Sequence, residues 1–156
     1  MSKRMSPEDP LADRLWRARV LLLFAPGEKG RPEIPADLAR RVRESSAKLA
    51  DRDLEVFAVS YLGGRALRLY PGGDSADSSD HHVPSGTALV TRFTPTGTTP
   101  IGPEDRRETT AILIGKDGTE KLRRPASAGT IEEVFDLIDT MPMRRREMRM
   151  NERHRQ

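Results

Sequence analysis

Two stretches constrain the fold of this chain more than any others. Arg19–Phe24, "RVLLLF", and Leu54–Leu62, "LEVFAVSYL", are almost continuously apolar and lack the alternation of a strand that faces water on one side. A strand covered on both faces reads this way, so both belong in the middle of a sheet with helices above and below it. Between them, Pro35 is placed to open a helix as its first residue, where a missing N–H costs nothing. Ile34, Leu38, Val42, Ser45 and Leu49 recur there at helical spacing, with Arg40, Arg41, Arg43 and Lys48 largely on the other side. Strand, helix, strand is a crossover unit, right-handed and with its strands parallel.

The later half adds a hairpin and a helix. Thr109–Ile114, "TTAILI", predicts a third strand, and the Asp-Gly signal in "GKDG", Gly115–Gly118, predicts a tight antiparallel turn into Thr119–Leu122. Thr130 and Glu133 have the spacing of a capping box, and Ile131, Val134, Phe135, Ile138 and Met141 follow as an apolar stripe on a helix of about thirteen residues. Pro142 stops or kinks that helix before a second, basic helical segment. Near the start, Leu11–Arg17 predicts a short helical turn with Leu11, Leu15 and Trp16 turned inward. Gly63–Glu108, with "YPGGDSADSSDHHVPSG" inside it, holds too few apolar groups to fold alone and reads as a loop-rich insertion. Within it "ALVTRF", Ala88–Phe93, fits either a short helix or an edge segment. The expected architecture is an α/β sandwich, a central mixed sheet of about four strands flanked by helices. It spans residues 11–143, between a flexible terminus at 1–10 and a basic tail at 144–156.

Composition removes whole classes of chemistry. The 156 residues suit one domain, and the absence of cysteine excludes disulfides, zinc-thiolate sites and thiol catalysis. Nothing approaches the roughly 20 consecutive apolar residues of a membrane span. Val20–Pro26 is also short for a secretory h-region, so the expected location is the cytoplasm. No phosphate or dinucleotide fingerprint is present, and no cofactor is expected. His81 and His82, beside Asp80, point to opposite faces of an extended segment, which argues against a metal site. Ser85 with His82 and Asp80 has the parts of a hydrolytic triad but not the rigid scaffold that a triad needs. Met141, Met143, Met148 and Met150 are soft groups suited to Cu(I), yet they read as packing residues, since the arginines between them repel a cation. Asp136 and Asp139 stand near enough in sequence to pair with Arg144–Arg146. The whole chain carries +3, while the last 13 residues alone hold six arginines against two glutamates. Such a cluster fits an anionic surface, but no aromatic residue interrupts it for base stacking, so nucleic acid is not an expected partner.

Four segments, "LWRARVLLLFAP", "LADRDLEVFAVS", "AILIGKDGTEKLRR" and "FDLIDTMPMRRREMR", resemble the family of domain of unknown function 4174 (DUF4174). The resemblance implies a thioredoxin-like or peroxiredoxin-like fold, present in small bacterial proteins and in repeated domains of some animal matrix and sushi-repeat proteins, with no established reaction. It puts the active cysteines of thioredoxin relatives in "APGEKG", Ala25–Gly30, and the facing cis-proline at Thr110, and neither is present here. The expected function is therefore non-catalytic binding of an unidentified protein or peptide, through Pro26, Gly27, Thr110, Met143, Arg144, Arg145, Arg146 and Met148. That reading makes the three consecutive arginines dispensable for folding. Two alternatives stand beside it: a thiol-independent enzyme or small-molecule binder using Thr110, Tyr61 or Lys116, and an arginine-rich tail that binds nucleic acid or an anionic surface.

Overall fold

In the computed structural model, which describes residues 9–71, 83–93 and 108–154, β1 (Arg19–Ala25) and β4 (Leu54–Ser60) pair in parallel. Arg19 lies opposite Leu54 and Ala25 opposite Ser60, and every residue of both strands is buried, the charged Arg19 and Glu55 along with the nearly continuous apolar run. On the other side of β1 runs β6 (Thr110–Ile114), antiparallel, followed by β7 (Glu120–Pro125) across the hairpin predicted at "GKDG". Gly118, at φ +81, supplies the left-handed turn residue.

The sheet has five strands rather than four, in the order β5-β4-β1-β6-β7, because β5 (Leu67–Tyr70) adds an antiparallel edge to β4. Helices cover both faces, an architecture consistent with a thioredoxin-like sandwich. Alternate residues of β1 divide between the two cores. Leu21 and Leu23 pack with α1 (Ala36–Glu44), α2 (Ser46–Asp51) and α4 (Thr130–Asp139) through Leu38, Val42, Leu49, Val134 and Ile138. Val20, Leu22 and Phe24 pack with Leu11, Leu89 and Phe93, the last two from α3 (Gly86–Phe93).

Several local expectations are corrected. The insertion from Gly63 to Glu108, expected to be loop-rich, contains both β5 and α3, and "ALVTRF" takes the helical one of its two expected forms. Pro35 flanks α1 rather than entering it, and the helical run divides at Ser45, whose N–H is shared between the Arg41 and Val42 carbonyls at 3.1 and 3.2 Å. The helix after Gly129 is ten residues long and has no capping box: the Thr130 hydroxyl accepts from the Ser127 N–H at 2.8 Å instead. Trp16 does not turn inward. A single turn of tighter helix ends at Arg14, Leu11 is buried, and Trp16 takes φ +65 and is 61 % exposed. The expected basic helical segment after Met141 forms as helix α5 (Pro142–His154), but its first turn is docked by the buried Arg144 rather than solvated.

Candidate functional site

The residues expected to form one binding surface sit at opposite ends of the sheet. Pro26, Gly27 and Thr110 lie where β1 ends, Thr110 being paired with Phe24, whereas α5 meets the chain at Arg19, where β1 begins. At about 3.3 Å per residue the seven residues of β1 hold these ends about 20 Å apart. They cannot close on one small ligand.

The end carrying Pro26 is sealed by its own backbone. The loop folds into a two-stranded hairpin, β2 (Gly27–Glu28) and β3 (Arg31–Pro32). Gly27 sits at φ +138, where a Cβ would come within 2.2 Å of the Arg31 carbonyl oxygen. The Pro26 carbonyl accepts from the Glu33 N–H at 2.8 Å, and the Gly27 carbonyl accepts from the Ser60 hydroxyl at 2.9 Å. Beside it, Tyr61 stacks on Phe24 at 6.1 Å between ring centroids. The Tyr61 hydroxyl donates its one proton to the Glu108 carbonyl at 2.7 Å, so at 2.8 Å it accepts from the Thr110 hydroxyl. Thr110 is thus held by a phenol, which does not activate it as a nucleophile. Tyr61 and Thr110 meet, but Lys116 lies at the far end, bonded to Asp53 at 2.8 Å and Glu147 at 2.9 Å. Ser85 caps α3 by accepting from the Ala88 N–H at 3.2 Å, while Asp80, His81 and His82 fall outside the described residues. Among the described residues no group of three or more acidic or imidazole side chains is placed to hold a metal.

The opposite end is a charge network that anchors α5. Arg144, its side chain 2 % exposed, donates to the Asp51 carbonyl at 2.7 Å and to the Asp51 carboxylate, and reaches Asp139 at 3.3 Å. Arg144 is therefore a structural residue and leaves the expected binding surface. Arg19 grips both oxygens of Glu147 at 3.2 Å. Of the two aspartates expected to pair with the arginines, Asp139 does so, and Asp136 has no ion pair among the described residues. Burial pushes the Glu147 carboxyl up, but the hydrogen bonds from Arg19 and Lys116 outweigh it and hold Glu147 below its ordinary value. Asp139 is lowered in the same way, burial being overcome by Arg52 and then Arg144.

A depressed native value gives a definite sign. The stability contributed by Glu147 is complete above the ordinary carboxylate range, about pH 4–5, and is lost as pH falls through the native value. Glu147→Gln is expected to melt about 2–6 °C below the wild type at neutral pH. That gap should close towards pH 3 in calorimetric scans; a gap independent of pH would mean that the charge of Glu147 contributes nothing.

Against this anchored helix lies a groove of about 280 Å³. Trp16, Met141 and Met143 give it an apolar lining, and Lys121 and Arg146 stand at its rim. The main chain at Trp16 is fixed there by its backbone N–H, which donates to the Lys116 carbonyl at 2.6 Å. Lys121 pairs with Asp117 at 3.0 Å, whereas Arg146 is exposed and without an ion pair among the described residues. Arg145 and Arg146 are therefore exposed on α5, while Met143 and Met148 are half-buried. Sequence reasoning missed Trp16 and Lys121. The signal was present for Trp16, since "RLWRAR" sets arginines on both sides of the Leu-Trp pair, which suits an exposed turn better than a buried one.

Among the described residues no helix is long and apolar enough to cross a membrane. No solved structure matches the chain. The family described as domain of unknown function DUF4174 matches residues 10–147, a span that takes in Trp16, the hairpin after β1, the whole sheet and α5 as far as Glu147. The chain thus belongs to the DUF4174 family, with both ends of its sheet inside the family domain.

Proposed function

We propose that this protein is a non-catalytic binding module of thioredoxin-like type that holds a protein or peptide segment at the Trp16 groove rather than at the hairpin after β1. The observation that carries the reading is the conformation of Trp16, 61 % exposed at φ +65. A non-glycine residue in the left-handed region costs about 1–2 kcal/mol, and exposing the one tryptophan of the chain forgoes its burial as well. Strain of this kind gathers at ligand-binding positions. The hairpin supports the same reading, because the Pro26 and Gly27 carbonyls and the Thr110 hydroxyl are committed to the chain itself.

The test is to pan a displayed random-peptide library against the full chain, with the Trp16→Ala variant as counter-screen. The expected result is a related set of peptides that shift the emission of Trp16 and lose at least about tenfold in affinity with the variant, as for an aromatic hot spot. Equal enrichment on both proteins, or none on either, overturns the reading.

A further inference from the structure

The groove beside Trp16 is apolar inside and positive outside. Four of the side chains that border it are cationic, Arg19, Lys116, Lys121 and Arg146, against the single carboxylate of Asp117. Three of the four are neutralised locally: Arg19 and Lys116 by Glu147 and Asp53 together, and Lys121 by Asp117. Arg146 is not, and among the described residues neither are the exposed Arg145, Arg149 and Arg153 near it on α5, nor the exposed Arg17 that follows Trp16. On α5 the spacing of Met143, Arg146 and Met150 puts them on one face, and Met150 is 58 % exposed. The face thus alternates thioether and guanidinium as it leaves the groove.

Resting on the binding reading above, we infer that the occupant is an acidic peptide segment carrying one large aliphatic side chain. The aliphatic group enters between the indole of Trp16 and the thioethers of Met141 and Met143, which are polarisable surfaces without hydrogen-bond demands. Carboxylates on either side of it meet the guanidinium of Arg146 and its neighbours, which are planar donors matched to two carboxylate oxygens. A cationic segment is repelled by the same groups. A nucleic acid finds one exposed aromatic ring and no row of them for successive bases. A recess of about 280 Å³ accepts one side chain rather than a flat bilayer surface.

The full chain is titrated with an acetylated and amidated peptide, Gly-Glu-Glu-Leu-Glu-Glu-Gly, and with its glutamine and lysine counterparts, following Trp16 emission and heat. The glutamate peptide should saturate at least about tenfold more tightly than the glutamine peptide and weaken as salt is raised. Arg146→Glu, on an exposed helix position, should keep its circular dichroism and transfer the preference to the lysine peptide. If the glutamate and glutamine peptides bind equally and both depend on Trp16, the acidic specificity is wrong while the binding module stands. No response to any peptide overturns the inference, and the panning outcome then decides separately whether the binding reading falls too. A Trp16 response to phosphatidylserine vesicles or to a single-stranded oligonucleotide, without one to the glutamate peptide, also overturns it.

Discussion

Replacing Arg14 by alanine is expected to destabilise the domain by about 3–5 kcal/mol, a fall in melting temperature of about 6–20 °C for a chain of this size. The Arg14 side chain is 4 % exposed, and its Nε donates at 2.7 Å to Glu55, whose side chain is 7 % exposed on the central strand β4. The guanidinium also lies over the ring of Phe57, 5.3 Å from its centroid. Among the described residues the second oxygen of Glu55 is buried without a hydrogen-bond partner, so Arg14 is what makes that carboxylate tolerable. Removing the cation strands a charge between sheet and turn, away from water. Removing both charges does not. Arg14→Met with Glu55→Leu is expected to lie within about 1 kcal/mol of the wild type, because the desolvation of a buried pair nearly offsets its attraction. Thermal melts of the two single variants and the double variant measure the coupling directly. A loss below about 1 kcal/mol for Arg14→Ala would show that water reaches Glu55.

The contrast between β4 and its surroundings marks what sequence reasoning reaches. β1 and β4 were legible because burial on both faces writes itself into every residue, and the β6–β7 turn because Asp-Gly demands a particular backbone. β5 was not: its four residues, "LRLY", range from half-buried to exposed at the sheet edge, and Arg68 interrupts them as it would a loop. The charge network was invisible for a different reason. Arg144 meets Asp51 across 93 positions of sequence, and Arg19 meets Glu147 across 128. A run of arginines resembles a solvated tail until the carboxylates from distant elements are brought beneath it. The same long-range assembly separated Thr110 from Met143, which the expected binding surface had joined, by the length of a strand.

Arg144→Ala is expected to cost about 2–4 kcal/mol, about 4–16 °C in melting temperature. Arg145→Ala and Arg146→Ala should each stay within about 0.5 kcal/mol of the wild type, as exposed helix positions do. The three arginines are consecutive, yet the helix turns the first towards Asp51 and Asp139 and the other two towards water. Asp51 and Asp139 are themselves partly exposed, which keeps the cost below that of the Arg14 pair. Lysine should not restore position 144, because a single ammonium cannot bond the Asp51 carbonyl, the Asp51 carboxylate and Asp139 together. The damage should also be local. In hydrogen exchange, the amides of α5 should gain a local opening route and lose the most protection, while those of β1 and β4 should still exchange only with the whole domain, since the helix is attached through its first turns and not through the cores of the sheet. With α5 released, Met143 and Arg146 leave Trp16, so Arg144→Ala should weaken binding of the glutamate peptide without touching the groove. A variant that melts and binds like the wild type would mean that α5 hangs free after all, and that the groove has only one wall.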